Sequence, residues 1–435
     1  MLRRSARILK TEPEVIALSF ARMADALGNS LLIIVLPLYI AQHPSTWLDL
    51  PTEAQVGLVI SLYGFLFALA QPFAGAASDK AGRRKPFILV GLGLMTTATL
   101  GFMFARGYAW IVVLRCLQGL GVALIIPSVL VIISGVTEKR TRGNAMGVYS
   151  TFRMVGFASG PLLAGVLQVY FGFNAAFLAG ALFLALAFVL VQLTVHEDRS
   201  STTPLESTAA TGAAAGGGSE NSAALASRGS RAREKPTPTL PSPTILALMA
   251  GTVVMASSLA MISALENEFN ARLDQTALGF GIAFSALTVA RLVVQIPLGR
   301  LSDRMGRKKL IVGGLLVLAP VTVLFGYVGT TSQLIGLRLV QGVVTACVAA
   351  PAFALAGDVA RKGGEGKEMS FVTMGFGLGL GLGPFLTGTL AGYLGFEVPF
   401  YVVGGLAMAA AGIVWVWAEE SIVPGGWPME EAGTV

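Results

Sequence analysis

The sequence predicts an all-α membrane protein, with twelve transmembrane helices in two pseudo-symmetric bundles of six. Three observations carry that reading. Of the 435 residues, 54% are hydrophobic and only 13% charged, where a soluble domain carries about 25% charged residues. The mean hydropathy is +0.72. Twelve apolar runs have the length, about 20 residues, that crosses the hydrocarbon as helix. Two short basic loops, Gly75-Ala-Ala-Ser-Asp79-Lys-Ala-Gly82-Arg83-Arg84-Lys85 and Gly299-Arg-Leu-Ser-Asp303-Arg-Met-Gly306-Arg307-Lys308-Lys309, are near-copies set 224 positions apart (75 to 299).

In chain order, the first helix is expected near 15–40, ahead of the polar stretch that holds His43. The second, 55–77, and third, 85–104, are joined by the first basic hairpin. Gly82 supplies its turn, because positive φ costs glycine little. Arg106 separates the third from the fourth, 108–133, and Lys139, Arg140 and Arg142 lead into the fifth, 145–168; the sixth follows at 175–195. The second half repeats the scheme at 245–265, 278–299, 308–328, 332–357, 369–392 and 397–418, with Gly306 in its basic turn. Between the halves, residues 196–243 are dominated by Ser, Thr, Ala, Gly and Pro, and cannot bury enough apolar surface to fold. The expected organisation is a six-helix bundle at 1–195, a disordered cytoplasmic linker at 196–243 and a second bundle at 244–435.

The formal net charge is +7, and the location of the charges decides what it means. Of 31 Lys and Arg residues, Arg106 and Arg272 alone fall in loops on the side opposite the N-terminus. Arg22, Arg115, Arg153, Arg291 and Arg338 fall inside apolar segments, and all others lie on the N-terminal side. That asymmetry is the positive-inside pattern, which puts both termini in the cytoplasm. It makes the basic balance a topology signal and gives no support to a nucleic-acid partner. The N-terminus lacks the small-residue cleavage site of a secretory signal, so its first apolar run is expected to stay as a spanning helix. Cys116 and Cys347 both lie in apolar segments and are expected to be buried small hydrophobes, not a metal site or disulfide. No metal and no cofactor is expected. Walker-type phosphate loops, His-rich spacings and Gly-x-Ser-x-Gly elbows are missing, so the chain is not expected to be an enzyme.

The duplication runs beyond the loops. Arg115-Cys-Leu-Gln118-Gly119 corresponds to Arg338-Leu-Val-Gln341-Gly342, Pro127 to Pro351, and Gly160-Pro161 to Gly383-Pro384. With six helices per half, both copies start on one side, so the repeat is parallel. On these markers, and on the loop signature Gly-x-x-x-Asp-x-x-Gly-Arg-Arg/Lys-Lys, the chain resembles a major facilitator superfamily transporter over nearly everything except the linker and tails. Among these it is similar to twelve-helix drug:proton antiporters. The resemblance implies two bundles related by an axis normal to the membrane, with a substrate cavity between them and transport by alternating access. A monomer in the plasma (inner) membrane, with a small-molecule substrate and protons as partners, is the expectation that follows. The loop signature says little about substrate.

Candidate site residues come from charges inside the apolar runs, where an ionised group costs several kcal/mol unless paired or wet. Asp25 shares a helix face with Arg22, three residues before, and Asn29, four after. It is either a proton-titratable or substrate-contacting acid, or one half of an ion pair that merely holds the helix. Arg115, in the Arg-x-x-Gln-Gly pattern, resembles the fourth-helix motif of proton-coupled members; it either assists a proton relay or packs helices. Arg338, its counterpart, is expected to be structural. Arg153 and Arg291 would suit an anionic or carboxylate-bearing substrate, pair with Asp25, or snorkel to an interface. Glu266 and Glu268 are expected at the outer rim.

In the loops, Gly75 and Gly299 are expected to permit close helix approach, Gly82 and Gly306 to turn the chain, and Asp79 and Asp303 to accept hydrogen bonds. Arg83, Arg84 and Arg307 would anchor the hairpins. In the family this loop is thought to latch the halves; fixing topology alone is the other reading. In the fifth helix Gly156, Gly160 and Pro161 give small-residue packing and a bend, resembling the antiporter signature. Ala164 stands where that signature has glycine, and Gly383-Pro384 repeats it in the eleventh helix. Proton-coupled efflux of small amphipathic molecules leads; symport or uniport of an organic anion or metabolite, and a non-transporting receptor or scaffold, are the rivals.

Overall fold

The computed structural model describes residues 13–136, 142–195, 242–359, 365–423 and 427–428. The expected linker lies outside the described residues except at its last two positions. The helices are α1 (Pro13–Gln42), α2 (Thr52–Ala81), α3 (Lys85–Gly101), α4 (Tyr108–Val136), then one 53-residue stretch, Arg142–Thr194. The second half holds α7 (Pro243–Arg272), α8 (Ala277–Met305), α9 (Arg307–Leu324), α10 (Thr331–Val359), α11 (Glu365–Leu394) and α12 (Val398–Trp417).

The 53-residue stretch would run about 80 Å as unbroken helix, more than twice a hydrocarbon core of about 30 Å. It breaks at Gly172, with φ 81 and ψ −178, a conformation open to a residue without Cβ. The stretch is therefore two helices, α5 (142–171) and α6 (173–194), and the spanning helices among the described residues number twelve. The gap expected over residues 169–174 shrinks to this one glycine. A second difference concerns α7, which does not stop near 265. It tightens to 3-10 over Met261–Leu265 and resumes as α-helix over Glu266–Arg272.

Pro37, Pro72, Pro127, Pro161, Pro297, Pro320, Pro351 and Pro384 lie inside helices, as spanning helices tolerate. Several buried hydroxyls are satisfied by their own helix: Ser19 donates to the Val15 carbonyl at 2.7 Å and Thr99 to that of Met95 at 2.7 Å. Cys116 and Cys347 are free and only half-buried, less enclosed than their surroundings suggested. After α12, Ile422–Val423 pairs antiparallel with Trp427–Pro428.

Lipid is as apolar as a leucine core, so close packing rather than water exclusion holds the helices together. Glycines make the closest approaches. A Cβ at Gly156 would lie 2.2 Å from the Met23 carbonyl and one at Gly160 would lie 1.8 Å from Ser30 Oγ, so α5 is pressed onto α1. The repeat does the same on α7: Cβ atoms at Gly379 and Gly383 would meet the carbonyls of Val253 and Ser257 at 2.2 and 2.4 Å.

Call the side where α1 begins the near side. Three apolar clusters partition the molecule. One, at the far side, draws from both halves, from Leu31 and Ile40 of α1 to Phe269, Phe280 and Phe400. The other two lie toward the near side and each stays within one half. Far-side contacts between halves include the Asn267 side-chain amide donating to the Pro37 carbonyl at 3.2 Å.

The near-side loops are less crowded than expected. Gly82 and Gly306 have φ +61 and +100, as their turns require. Gly75 would meet only Pro127 of its own half, at 3.8 Å, and Gly299 nothing within 4 Å. The expectation that these two glycines bring helices together is corrected: the ends that carry them stand apart from the opposite half here.

Candidate substrate cavity between the halves

Between the halves lies a cavity of about 370 Å³, within the few-hundred-Å³ range of small-molecule sites. The five charged residues proposed from the sequence for a substrate or proton site, Arg22, Asp25, Arg115, Arg153 and Arg291, line it. They come from α1, α4, α5 and α8, so helices distant in sequence converge on one space.

Arg22 and Asp25 are 9% and 3% exposed and form an ion pair through Nη1 and Oδ2. The i,i+3 spacing sets it up on one helix face. Asp25 Oδ1 and Arg22 Nε are buried without hydrogen-bond partners. Asn29, on the same face, donates to the Tyr63 hydroxyl at 2.6 Å. Arg115 stacks over the Tyr63 ring at 4.5 Å and donates to Gln118 Oε1 at 3.0 Å, while Gln118 donates to Thr99. Tyr149 and Tyr63 stand close enough to Arg22 to act on its charge. Asn29, one turn from the paired Asp25, and the stacked Arg115 guanidinium thus share one tyrosine, Tyr63, within a mostly apolar enclosure.

Arg153 and Arg291 are half-buried on opposite halves, and among the described residues neither has a hydrogen-bond or ion-pair partner. Arg291 Nε is buried and unsatisfied. The remaining wall is largely apolar, with Phe67 and Phe157 from the first half and Phe284, Phe353 and Phe376 from the second set among aliphatic side chains. Tyr63 and Tyr149 are among the polar members that the charge pattern missed. A tyrosine deep in an apolar run is itself a signal, because its hydroxyl must find a partner.

Arg338 does not line the cavity. It is fully buried, sandwiched near Phe284 and Phe325 at 4.2 and 5.7 Å, and donates to Gln341 Oε1 and the Leu259 carbonyl. The duplicated Arg-x-x-Gln therefore faces the cavity in one half and the packed interior in the other. Glu266 corrects the rim expectation: it is 0% exposed, because α7 continues through it. Asn270, one turn on, is the polar side chain within its reach, yet neither carboxyl oxygen makes a hydrogen bond of acceptable geometry. Glu268 is on the rim, paired with Arg272 at 2.7 Å.

In the near-side loops, Arg307 pairs with Asp358 and reaches Asp303 at 3.5 Å. Glu420 accepts from the backbone N–H groups of Arg307 and Lys308 at 2.9 and 3.0 Å. Arg84 bonds the Ser78 hydroxyl, Arg83 is exposed, and the side chain of Asp79 lies outside the described residues.

Comparison with known proteins agrees with this architecture. The Major Facilitator Superfamily profile matches residues 18–270 and 243–433. The chain belongs to the major facilitator superfamily. The multi-drug resistance efflux pump PmrA of Streptococcus pneumoniae is 26% identical over 355 residues, covering 79% of this chain and 81% of that one. An uncharacterized MFS-type transporter of Methanocaldococcus jannaschii is 34% identical over 150 residues, 34% of this chain and 39% of that relative. Among solved structures, a bacterial homolog of the human lysosomal transporter Spinster, inward-facing and occupied, superposes with a TM-score of 0.72 at 16% identity, covering 93% of this chain and 97% of that one. This superfamily member is an integral membrane transporter.

Proposed function

We propose that this protein is a secondary transporter that exports small amphipathic molecules in exchange for protons, by alternating access. One observation carries the proposal: the buried Arg22–Asp25 pair is set in a mostly apolar cavity between the two halves. An apolar wall takes the body of an amphipathic molecule, and a carboxylate whose second oxygen lacks a partner is a place to hold a proton. Efflux pumps among the relatives support the direction of transport. No enzymatic step is invoked.

In this reading the protein acts as a monomer in the plasma membrane, with both termini cytoplasmic by its charge asymmetry. The shared far-side cluster is then the outer seal and the separate near-side clusters mark the cytoplasmic opening. The bundles 1–195 and 244–435 rock about the cavity, joined by the linker 196–243. Asp79 and its loop latch the opposite state, and the Gly-Pro pairs of α5 and α11 allow the bending.

The test is reconstitution of the full chain in liposomes under an imposed pH gradient. Ethidium movement against proton flux, abolished by Asp25→Asn, is expected. Ethidium moving with unchanged pH dependence in Asp25→Asn would remove Asp25 from coupling. A second reading, symport or uniport of an organic anion, draws on the four arginines that face one carboxylate. In that case substrate and protons move together, or protons do not move.

A further inference from the structure

We infer that the cavity holds the anionic head group of its substrate between Arg153 and Arg291, so that the preferred substrate class is an aromatic or aliphatic carboxylate or sulfonate. The inference rests on the transport reading above and names the substrate class that the same site prefers, with cationic ethidium its poorer substrate.

The argument is charge balance in a low-dielectric space. Four guanidinium groups line the cavity, and Asp25 is the one carboxylate among its lining residues. Asp25 is engaged by Arg22, and Arg115 is held by Gln118 and the face of Tyr63. That leaves Arg153 and Arg291. Asp25 acts on Arg153 only through space. The two free guanidinium groups also repel one another across the boundary between the halves. Buried cations are costly without a counter-charge, and a guanidinium fork matches a carboxylate or sulfonate geometrically. An anion between them removes the repulsion, satisfies the orphaned Nε of Arg291 and ties α5 of one half to α8 of the other. The body of the ligand then lies against Phe157, Phe284, Phe353 and Phe376. A volume of about 370 Å³ admits a one- or two-ring molecule.

Binding the head group therefore also draws the near-side parts of the halves together, which gives the substrate a direct hold on the conformational change. A ligand shifts such an equilibrium only through contacts that differ between the states. A bridge between halves is such a contact.

The test uses three probes with one naphthyl body: naphthylacetate, its uncharged amide, and naphthylmethylammonium. Thermal unfolding of the purified full-length protein is titrated with each. Naphthylacetate is expected to stabilise most, and Arg153→Gln and Arg291→Gln are each expected to weaken its binding about tenfold or more, as loss of one partner of a buried charge contact does. The amide should be unaffected by either change. Arg153→Lys and Arg291→Lys keep the charge without the fork; they guard against a folding defect and should bind at intermediate strength. Equal binding of the amide or the ammonium, or wild-type naphthylacetate binding in both Gln variants, overturns the inference. So does full reproduction of the naphthylacetate stabilisation by chloride added at the same concentration, which would make the site an adventitious ion only.

Liposome transport separates this from the efflux reading. Ethidium exchange for protons without naphthylacetate binding leaves efflux standing and sinks the head-group site. Naphthylacetate binding as expected, with no probe moved by a proton gradient, leaves the site standing and sinks efflux.

Discussion

The main-chain oxygen of Pro161 presses on Gly281. A Cβ built on that glycine would lie 2.4 Å from the oxygen, and the repeat reproduces the contact between Pro384 and Gly57 at the same 2.4 Å. The Gly-Pro pairs thus do two jobs: the glycine seats its helix within its own half, and the proline carbonyl meets a glycine of the other half. Both inter-half contacts sit toward the far side, where Gly165 and Gly388 add close approaches to Ala277 and Glu53.

Gly281→Ala is therefore expected to force the far-side seal apart. Overpacking of this kind costs roughly 1–3 kcal/mol, about fivefold or more in a two-state equilibrium. Spin labels at Trp47 and Thr330, both exposed on far-side loops, should move apart in a background with Cys116 and Cys347 replaced by Ser. Gly299→Ala, which meets nothing within 4 Å, should leave the distance distribution as in the parent. Identical distributions for all three proteins would show that these glycines do not set the seal.

Asp25→Asn leaves Arg22 buried without its partner, and breaking a buried pair costs about 3–5 kcal/mol. Its melting temperature should fall, and Arg22→Gln combined with Asp25→Asn should recover most of the loss. Transport discriminates the two roles of the pair. If Asp25 carries the coupled proton, the double variant regains stability but not proton exchange. Full recovery of pH-dependent transport in the double variant would make the pair a purely structural one.

Much of this was legible in the sequence. Twelve helices follow from apolar run length, and the parallel repeat from markers such as Arg115/Arg338 and Gly160-Pro161/Gly383-Pro384, because these depend on local composition. The charged residues of the cavity were legible because a charge inside a spanning helix needs somewhere wet or paired to go. What depends on a partner helix was not. Gly57 and Gly281 look like any other glycine until the opposing proline carbonyl is known, and Gly75 and Gly299 drew attention for a close approach that this state does not make. Glu266 was misplaced because a helix expected to stop near 265 instead tightens to 3-10 and continues, carrying the residue into the packed interior.

That burial makes Glu266 a stability liability. Both oxygens are enclosed without a good hydrogen bond, although the Asn270 side chain lies within reach. Replacing a buried, unsatisfied carboxyl by an apolar side chain of similar length is neutral to stabilising. Glu266→Met is expected to raise stability by about 1 kcal/mol or more, and the melting temperature with it. A lower melting temperature would mean the carboxylate is held by an interaction this conformation does not contain.

Glu420 closes the N-terminus of α9 after the chain has left α12. Its two carboxylate oxygens take the N–H groups of Arg307 and Lys308 at 2.9 and 3.0 Å, the first donors of a helix that begins directly after the positive-φ Gly306. Helix N-termini favour negative charge and leave their first donors unsatisfied without a cap. This cap comes from 112 and 113 residues away in sequence, so it also pins the segment after α12 to the basic loop. Glu420→Ala should cost about 1–2 kcal/mol, the upper part of the range for a lost cap, and speed hydrogen exchange at Arg307 and Lys308. Glu419→Ala, whose side chain is exposed, is the matched control and should change neither. Equal exchange rates in the two variants would show that the loop holds its turn through Gly306 and the Arg307–Asp358 pair alone.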